Sequence, residues 1–210
     1  MLERRANPIG RAATANVPRI SLGGLRLAVL DIEQTANFMI EMAFPQCRVG
    51  RPLYLTSANG EVLARCSTEP MTERLFRAAD LINADGQPLV TVSRFKSKTP
   101  LPERVATTDL FDVVARKASA AGLTFYMFGA NEEENAAAVA KVRSRHPALK
   151  IVGHSHGYLR GKGLRKKVDE INAFNAQVEQ LTPKLKTFTE WRDATTALSA
   201  IMQAQSESLS

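Results

Sequence analysis

Between Pro52 and Gln180, strand-length apolar runs alternate with segments of helical periodicity. That alternation constrains the fold most strongly. Strands separated by helices pair in parallel, with helices packed on both faces of the sheet, so an α/β domain with a largely parallel sheet is expected. The runs are Pro52–Leu55, Leu81–Ala84, Leu123–Phe128 and Leu149–Val152. Ahead of them, Ile20–Leu30 reads as two short strands around Gly23-Gly24, a hairpin signal.

Helix signals fill the gaps. Asp31 with Gln34 forms a capping box for a helix over about Ile32–Ala43, ended by Pro45. Asn59 caps a helix containing Val62 and Leu63. Ser67 or Thr68 caps the next, with Pro70 in its first turn and Met71, Leu75, Ala78 and Ala79 facing inward. Gln87–Phe95 reads as a short helix, and Ser93–Pro102 as a polar, basic loop. Thr108 or Asp109 caps a helix to Ala121 that Gly122 closes. Asn131 caps another whose first turn, Glu132–Glu134, complements the helix dipole. Gly153–Gly163 reads as a glycine-rich loop holding His154 and His156, followed by a basic helix from about Leu164 to Gln180.

One α/β domain is expected over residues 18–180. A basic arm, 1–17, precedes it and reads as disordered. A tail of changed character, 181–210, follows, with Phe188, Trp191, Ala194 and Leu198 as a helical stripe. The net charge of +7 and pI of about 9.7 point to anionic partners: a nucleotide, a lipid diphosphate, an anionic membrane or nucleic acid. Nucleic acid is not the expected partner, because no recognition motif and no aromatic–basic interleaving is present. A homo-oligomer is compatible with the sequence. No apolar run approaches the ~18 residues that span a bilayer, and the N-terminus lacks the apolar stretch of a secretory signal. Cys47 and Cys66 form no C-x-x-C pair, which speaks against a zinc site or a disulfide scaffold and fits a reducing cytoplasm.

The chemistry-bearing residues gather between Leu53 and Arg104. In open α/β sheets, ligands bind beyond the carboxyl ends of the strands. Asp85, at a strand end and followed by Gly86, can serve as a general base, or can be a turn aspartate bonding its own backbone. Thr56 and Asn59 suit a sugar or a base edge, or simply end a strand and cap a helix. Arg104, on a loop stiffened by Pro100 and Pro102, offers a guanidinium fork to a diphosphate, or is an exposed arginine paired with Glu103 or a similar acid. Gly129 before a helix start is either a phosphate cradle or a plain turn beside three glutamates. His154 and His156 lack a nearby third ligand, so no metal is expected. Arg160, Lys162, Arg165, Lys166 and Lys167 form either a solvated face or a contact to anionic lipid or diphosphate.

The order of these pieces carries a resemblance. T-S-A-N, A-D-L-I-N-A-D-G, P-E-R-V-A-T-T-D-L, F-Y-M-F-G, P-A-L-K-I-V-G and G-Y-L follow one another over roughly Val17–Val178. Together they resemble the WecG/TagA/CpsF glycosyltransferases, glycosyltransferase family 26. The resemblance implies a Rossmann-like sheet and an inverting transfer without metal. A sugar, N-acetylmannosamine-type or a hexose, would pass from a UDP-sugar to an undecaprenyl-diphosphate-linked acceptor for surface polysaccharide. It implies Asp85 as general base, Thr56 and Asn59 along the sugar-nucleotide pocket, Arg104 at the leaving diphosphate, and a cytoplasmic location peripheral to the inner membrane, against its anionic surface. Two features depart from the family. Thr107 stands where glycine is usual, and after Val178 the chain lacks the apolar strand and G-x-P-x-Q-E motif. The first would crowd the backbone near the pocket; the missing motif motivates the alternative of a relative that binds UDP-sugar or a pathway partner without turnover.

Overall fold

The computed structural model describes residues 14–44, 47 and 52–181, with backbone alone from 174 onward. Pro45, the arm up to residue 13 and the tail from 182, with its Phe188–Leu198 stripe, lie outside the described residues. The chain forms two compact units, one up to Lys117 and one from Ala118.

The first unit opens with the expected hairpin. Strands β1 (Arg19–Leu22) and β2 (Leu25–Ala28) pair antiparallel, with Leu22 opposite Leu25. Gly23 (φ +54°) and Gly24 (φ +82°) both take the left-handed backbone that a two-residue hairpin loop requires. Thr14–Val17, expected within the arm, is instead folded against the hairpin. Thr14 is buried, and its carbonyl accepts from Val17 N (3.2 Å) and Arg19 Nη2 (3.2 Å). Helix α1 (Ile32–Ala43) starts on the Asp31–Gln34 capping box, both bonds of which form. Glu33, held below its ordinary pKa mainly by a hydrogen bond from Lys117, ties this helix to the later segment around Arg116 and Lys117.

Strands β3 (Leu55–Ala58) and β4 (Leu81–Ala84) pair in parallel, Ser57 opposite Asn83. The first lies three residues later than the apolar run suggested. Pro52 has no N–H, and the Tyr54 N–H goes to the Asp80 carboxylate (2.8 Å) rather than to a ladder carbonyl. Helices α2 (Gly60–Thr68) and α3 (Pro70–Arg77) connect the pair. Neither Ser67 nor Thr68 caps α3: both lie in the last turn of α2 and donate to the Ala64 carbonyl. Glu69 takes the cap position, and Pro70 is the first residue of α3. The inward face of α3 also differs. Met71 and Leu75 are exposed, because the helix turns Phe76, with Ala79 after it, onto the core and carries the other pair away. That core joins Leu25 and Leu27 of the hairpin to Ala58, Ile82, Ala84, Leu89 and Val90.

Helix α4 (Gln87–Lys96) follows β4. Ser93, expected in a polar loop, is fully buried within it. Its Oγ donates to the Val90 carbonyl (2.7 Å) and accepts from Leu101 N (2.9 Å), pinning the returning loop to the helix. Helix α5 (Thr107–Ala121) starts one residue before Thr108.

In the second unit, β5 (Thr124–Phe128) and β6 (Lys150–Ser155) pair in parallel around α6 (Glu132–Arg145), capped by Asn131 with Glu134 in a reciprocal box. β6 runs further than expected and takes in Gly153 and His154. Glycine is needed there, since a Cβ at 153 would lie 2.5 Å from the Tyr126 ring. Helix α7 (Gly161–Leu181) completes the described chain. Among the described residues two of the three strand pairs are parallel and joined through helices, so the chain is Rossmann-like α/β, as expected.

Ser93→Ala leaves the buried Leu101 N–H without its acceptor. Chemical denaturation should then show a loss of about 1–3 kcal/mol; a change within a few tenths would mean the loop is held elsewhere.

Candidate active site

At the carboxyl ends of β3 and β4 the backbone is stitched twice more. Asp85 N donates to Ala58 O (2.9 Å), and Val105 N to Ala84 O (2.8 Å). The Glu103–Ala106 segment is thereby drawn to the end of the sheet, with Val105 and Ala106 buried beneath it. Glu103 is not Arg104's partner: its Oε1 accepts from Ile32 N (2.8 Å) and fastens the segment to the start of α1.

Asp85 is not a self-bonded turn aspartate. Its Oδ2 accepts from the Thr107 backbone N–H (3.3 Å) and hydroxyl (3.4 Å). Thr107 is the first residue of α5, so the carboxylate sits at that helix's N-terminus, where negative charge is favoured. Among the described residues no hydrogen bond or ion pair engages Oδ1. The Thr107 hydroxyl also shares a hydrogen with Ser57 Oγ (2.8 Å), which makes a chain Ser57–Thr107–Asp85.

Side chains alternate along a strand. Ser57, Asn83 and Asp85 therefore share one face, and Thr56 lies on the other with Ala58, Ile82 and Ala84, the core face. The structure does not bring Thr56 to Asp85; Ser57 takes that place. Asn83 on the polar face is buried, and its Oδ1 meets no hydrogen-bond partner among the described residues. Asn59 caps α2, its Oδ1 accepting from Val62 N (3.0 Å), and an added Cβ on Gly86 would rest 3.6 Å from its own Cβ. Asn59 and Gly86 are thus adjacent, and the Asn59 amide donors are not the atoms used by the cap. Gly86 takes the cap position of α4, which has no side-chain cap bond.

Arg104 pairs with Asp109, Nη2 to Oδ2, at 3.0 Å, both half-exposed. Asp109 therefore binds the preceding loop instead of capping α5. Asp85 and Arg104 make no direct contact; each reaches the first turn of α5, through Thr107 and Asp109. Sequence reasoning passed over Ser57 and noted Thr107 only as a departure from glycine.

Gly129 lies in the second unit. Its N–H is committed to the Ser155 carbonyl (3.0 Å), and the following helix start carries a capping box and three acids. The Gly129 N–H itself is therefore not free for a phosphate. His154 sits in β6 with Nδ1 2.8 Å from Asn135 Oδ1, while the Asn135 amide donates to Gly129 O (3.1 Å). An amide oxygen only accepts, so this nitrogen of His154 carries the proton. Lys167 leaves the basic cluster by pairing with Glu170, which raises its pKa. Among the described residues no three His, Cys, Asp or Glu side chains gather as metal ligands. Burial pushes the Cys66 thiol up, away from nucleophilic character.

The profile of the glycosyl transferase WecG/TagA/CpsF family matches residues 20–179. Two similar proteins share one name, N-acetylglucosaminyldiphosphoundecaprenol N-acetyl-beta-D-mannosaminyltransferase. That of Bacillus spizizenii is 31% identical over 148 residues, 70% of this chain and 56% of the relative. That of Staphylococcus aureus is 29% identical over 107 residues, 51% and 41%. The chain spans about half the length of the curated relatives it matches.

If Ser57, Thr107 and Asp85 act as one chain, a double-mutant cycle of Ser57→Ala with Thr107→Val should return a coupling of about 0.5–1 kcal/mol in thermal or chemical denaturation. Additive losses would show that the hydroxyls are independent.

Proposed function

Because the chain belongs to the WecG/TagA/CpsF glycosyl transferase family, we propose that it is an inverting, UDP-sugar-dependent transferase. It moves a sugar, N-acetylmannosamine-type or a hexose, to an undecaprenyl-diphosphate-linked acceptor in surface polysaccharide assembly. The observation that supports this best is the Asp85 carboxylate fixed through one oxygen at the start of α5, in the same turn that pairs with Arg104.

In this reading Asp85 takes the proton from the acceptor hydroxyl on its unengaged Oδ1. The hydroxyl oxygen bonds to the anomeric carbon, and the bond from that carbon to the diphosphate oxygen breaks with its electron pair leaving on UDP. The Arg104 guanidinium exchanges Asp109 for the departing diphosphate and offsets the charge that develops there, with no metal in that role. Asn59 offers amide donors to the sugar nucleotide, and Gly86 lets it approach the start of α4. Ser57 holds Thr107, which holds Asp85. The transferase works at the cytoplasmic face of the inner membrane, held peripherally against its anionic surface. No helix among the described residues is long and apolar enough to cross a membrane.

The second reading, binding without turnover, is favoured by the Thr107 hydroxyl occupying Asp85 Oδ2 where the family's usual glycine has none. Calorimetry with UDP alongside a transfer assay separates the two.

Asp85→Asn keeps an oxygen for Thr107, so the melting temperature should stay within a few degrees. Transfer from a UDP-sugar to a lipid-linked acceptor should fall by roughly 10²–10⁴. Turnover that survives the change removes Asp85 from the base role.

A further inference from the structure

The C-terminal half of α4 and the turn after it carry Val92, Arg94, Phe95, Lys96 and Lys98, all exposed. Phe95 leaves 84% of its surface open, the most of any large apolar side chain among the described residues. Val92 lies one helical turn before it on the same side. The core does not use this side of α4, because Leu89, Val90 and Ser93 already make the buried face. From Gln87 to Pro102 the chain holds three cations and no Asp or Glu. None of the three pairs with a carboxylate among the described residues. The segment is tightly built. Ser97 Oγ donates to Thr99 O (3.0 Å) and accepts from Thr99 N (3.1 Å), and Ser93 pins Leu101.

We infer that this surface docks on an anionic lipid bilayer, with Phe95 and Val92 entering the headgroup–acyl boundary and Arg94, Lys96 and Lys98 resting on the headgroups. An aromatic ring ringed by cations matches an interface that is apolar below and negative above. A second copy of this chain fits less well, since a twofold contact would set three cations against three. The placement also serves the proposed transfer, on which its biological sense rests. α4 begins beside Asp85, and Phe95 lies roughly 13 Å along it. A docked α4 would hold the site near the surface where a lipid-linked acceptor is presented.

The test uses the whole chain carrying Trp191→Phe and Phe95→Trp, since Trp191 is the one tryptophan in the sequence. Vesicles are phosphatidylcholine alone or phosphatidylcholine with phosphatidylglycerol, and neither donor nor acceptor is present. With phosphatidylglycerol the introduced tryptophan should shift to the blue and be quenched by lipids brominated high in the acyl chain, with little change on phosphatidylcholine. In the native background, Phe95→Ser should weaken vesicle binding at least about tenfold. The triple change R94Q/K96Q/K98Q should weaken it by roughly fivefold per cation, with melting temperatures unchanged. Co-sedimentation with an unshifted tryptophan would assign binding to another surface, such as α7, and overturn the inference. A lipid-independent shift that grows with protein concentration would assign a second copy, and absence of binding would overturn it outright. None of these outcomes bears on transfer, so a failure here leaves the role of Asp85 to its own assay.

Discussion

The contact on which the site depends is a carboxylate closing a helix from a distance. Asp85 directly follows β4, and its Oδ2 receives the N–H of Thr107, twenty-two residues later, at the start of α5. A helix start has four N–H groups without intrahelical acceptors, and anions are favoured there. The bond therefore does two things. It steadies α5, and it fixes the carboxylate's rotation at the sheet end. The backbone supports both: Asp85 N and Val105 N each go to a strand-end carbonyl, so the strand tip and the loop cannot part without breaking ladder-type bonds. Glu103, bonded to Ile32 N, draws α1 into the same knot. The Arg104 backbone is thus fixed on both sides, while its guanidinium stays half-exposed.

What could be read in the sequence was what is decided locally. The hairpin needs two left-handed residues and has two glycines. The Asp31 and Asn131 boxes need an acceptor and a return donor at fixed spacing, and both are present. Strand and helix alternation follows from periodicity alone. What escaped was decided by register and by competition among partners. Thr56 and Ser57 are both polar and adjacent, and only the pairing of β3 with β4 assigns Ser57 to the face of Asp85. Arg104 could take Glu103 or Asp109, and the choice fell to Asp109 because the start of α1 claimed Glu103. Met71 and Leu75 make as good a helical stripe as Phe76 and Ala79, and the core took the aromatic. His154 was hidden in a glycine-rich stretch because Gly153 is there for the Tyr126 ring, not for a turn.

The Arg104–Asp109 pair bears on how a site like this can wait for its ligand. Both partners are about half exposed, and exposed ion pairs contribute only about 0–1 kcal/mol. Such a pair is weak enough to open when a diphosphate, with more charge and room for two-point bonding, competes for the guanidinium. It is also enough to give Arg104 a resting partner other than Asp85. A direct Arg104–Asp85 pair would compete with proton transfer to the carboxylate. With Arg104 turned to Asp109 and Asp85 to Thr107, the two ends of the proposed reaction are charged, close in sequence to one helical turn, and not neutralised by each other. Thr107 adds a hydroxyl bond to the same carboxylate oxygen that takes its N–H, so one residue both opens α5 and fills one side of the Asp85 carboxylate.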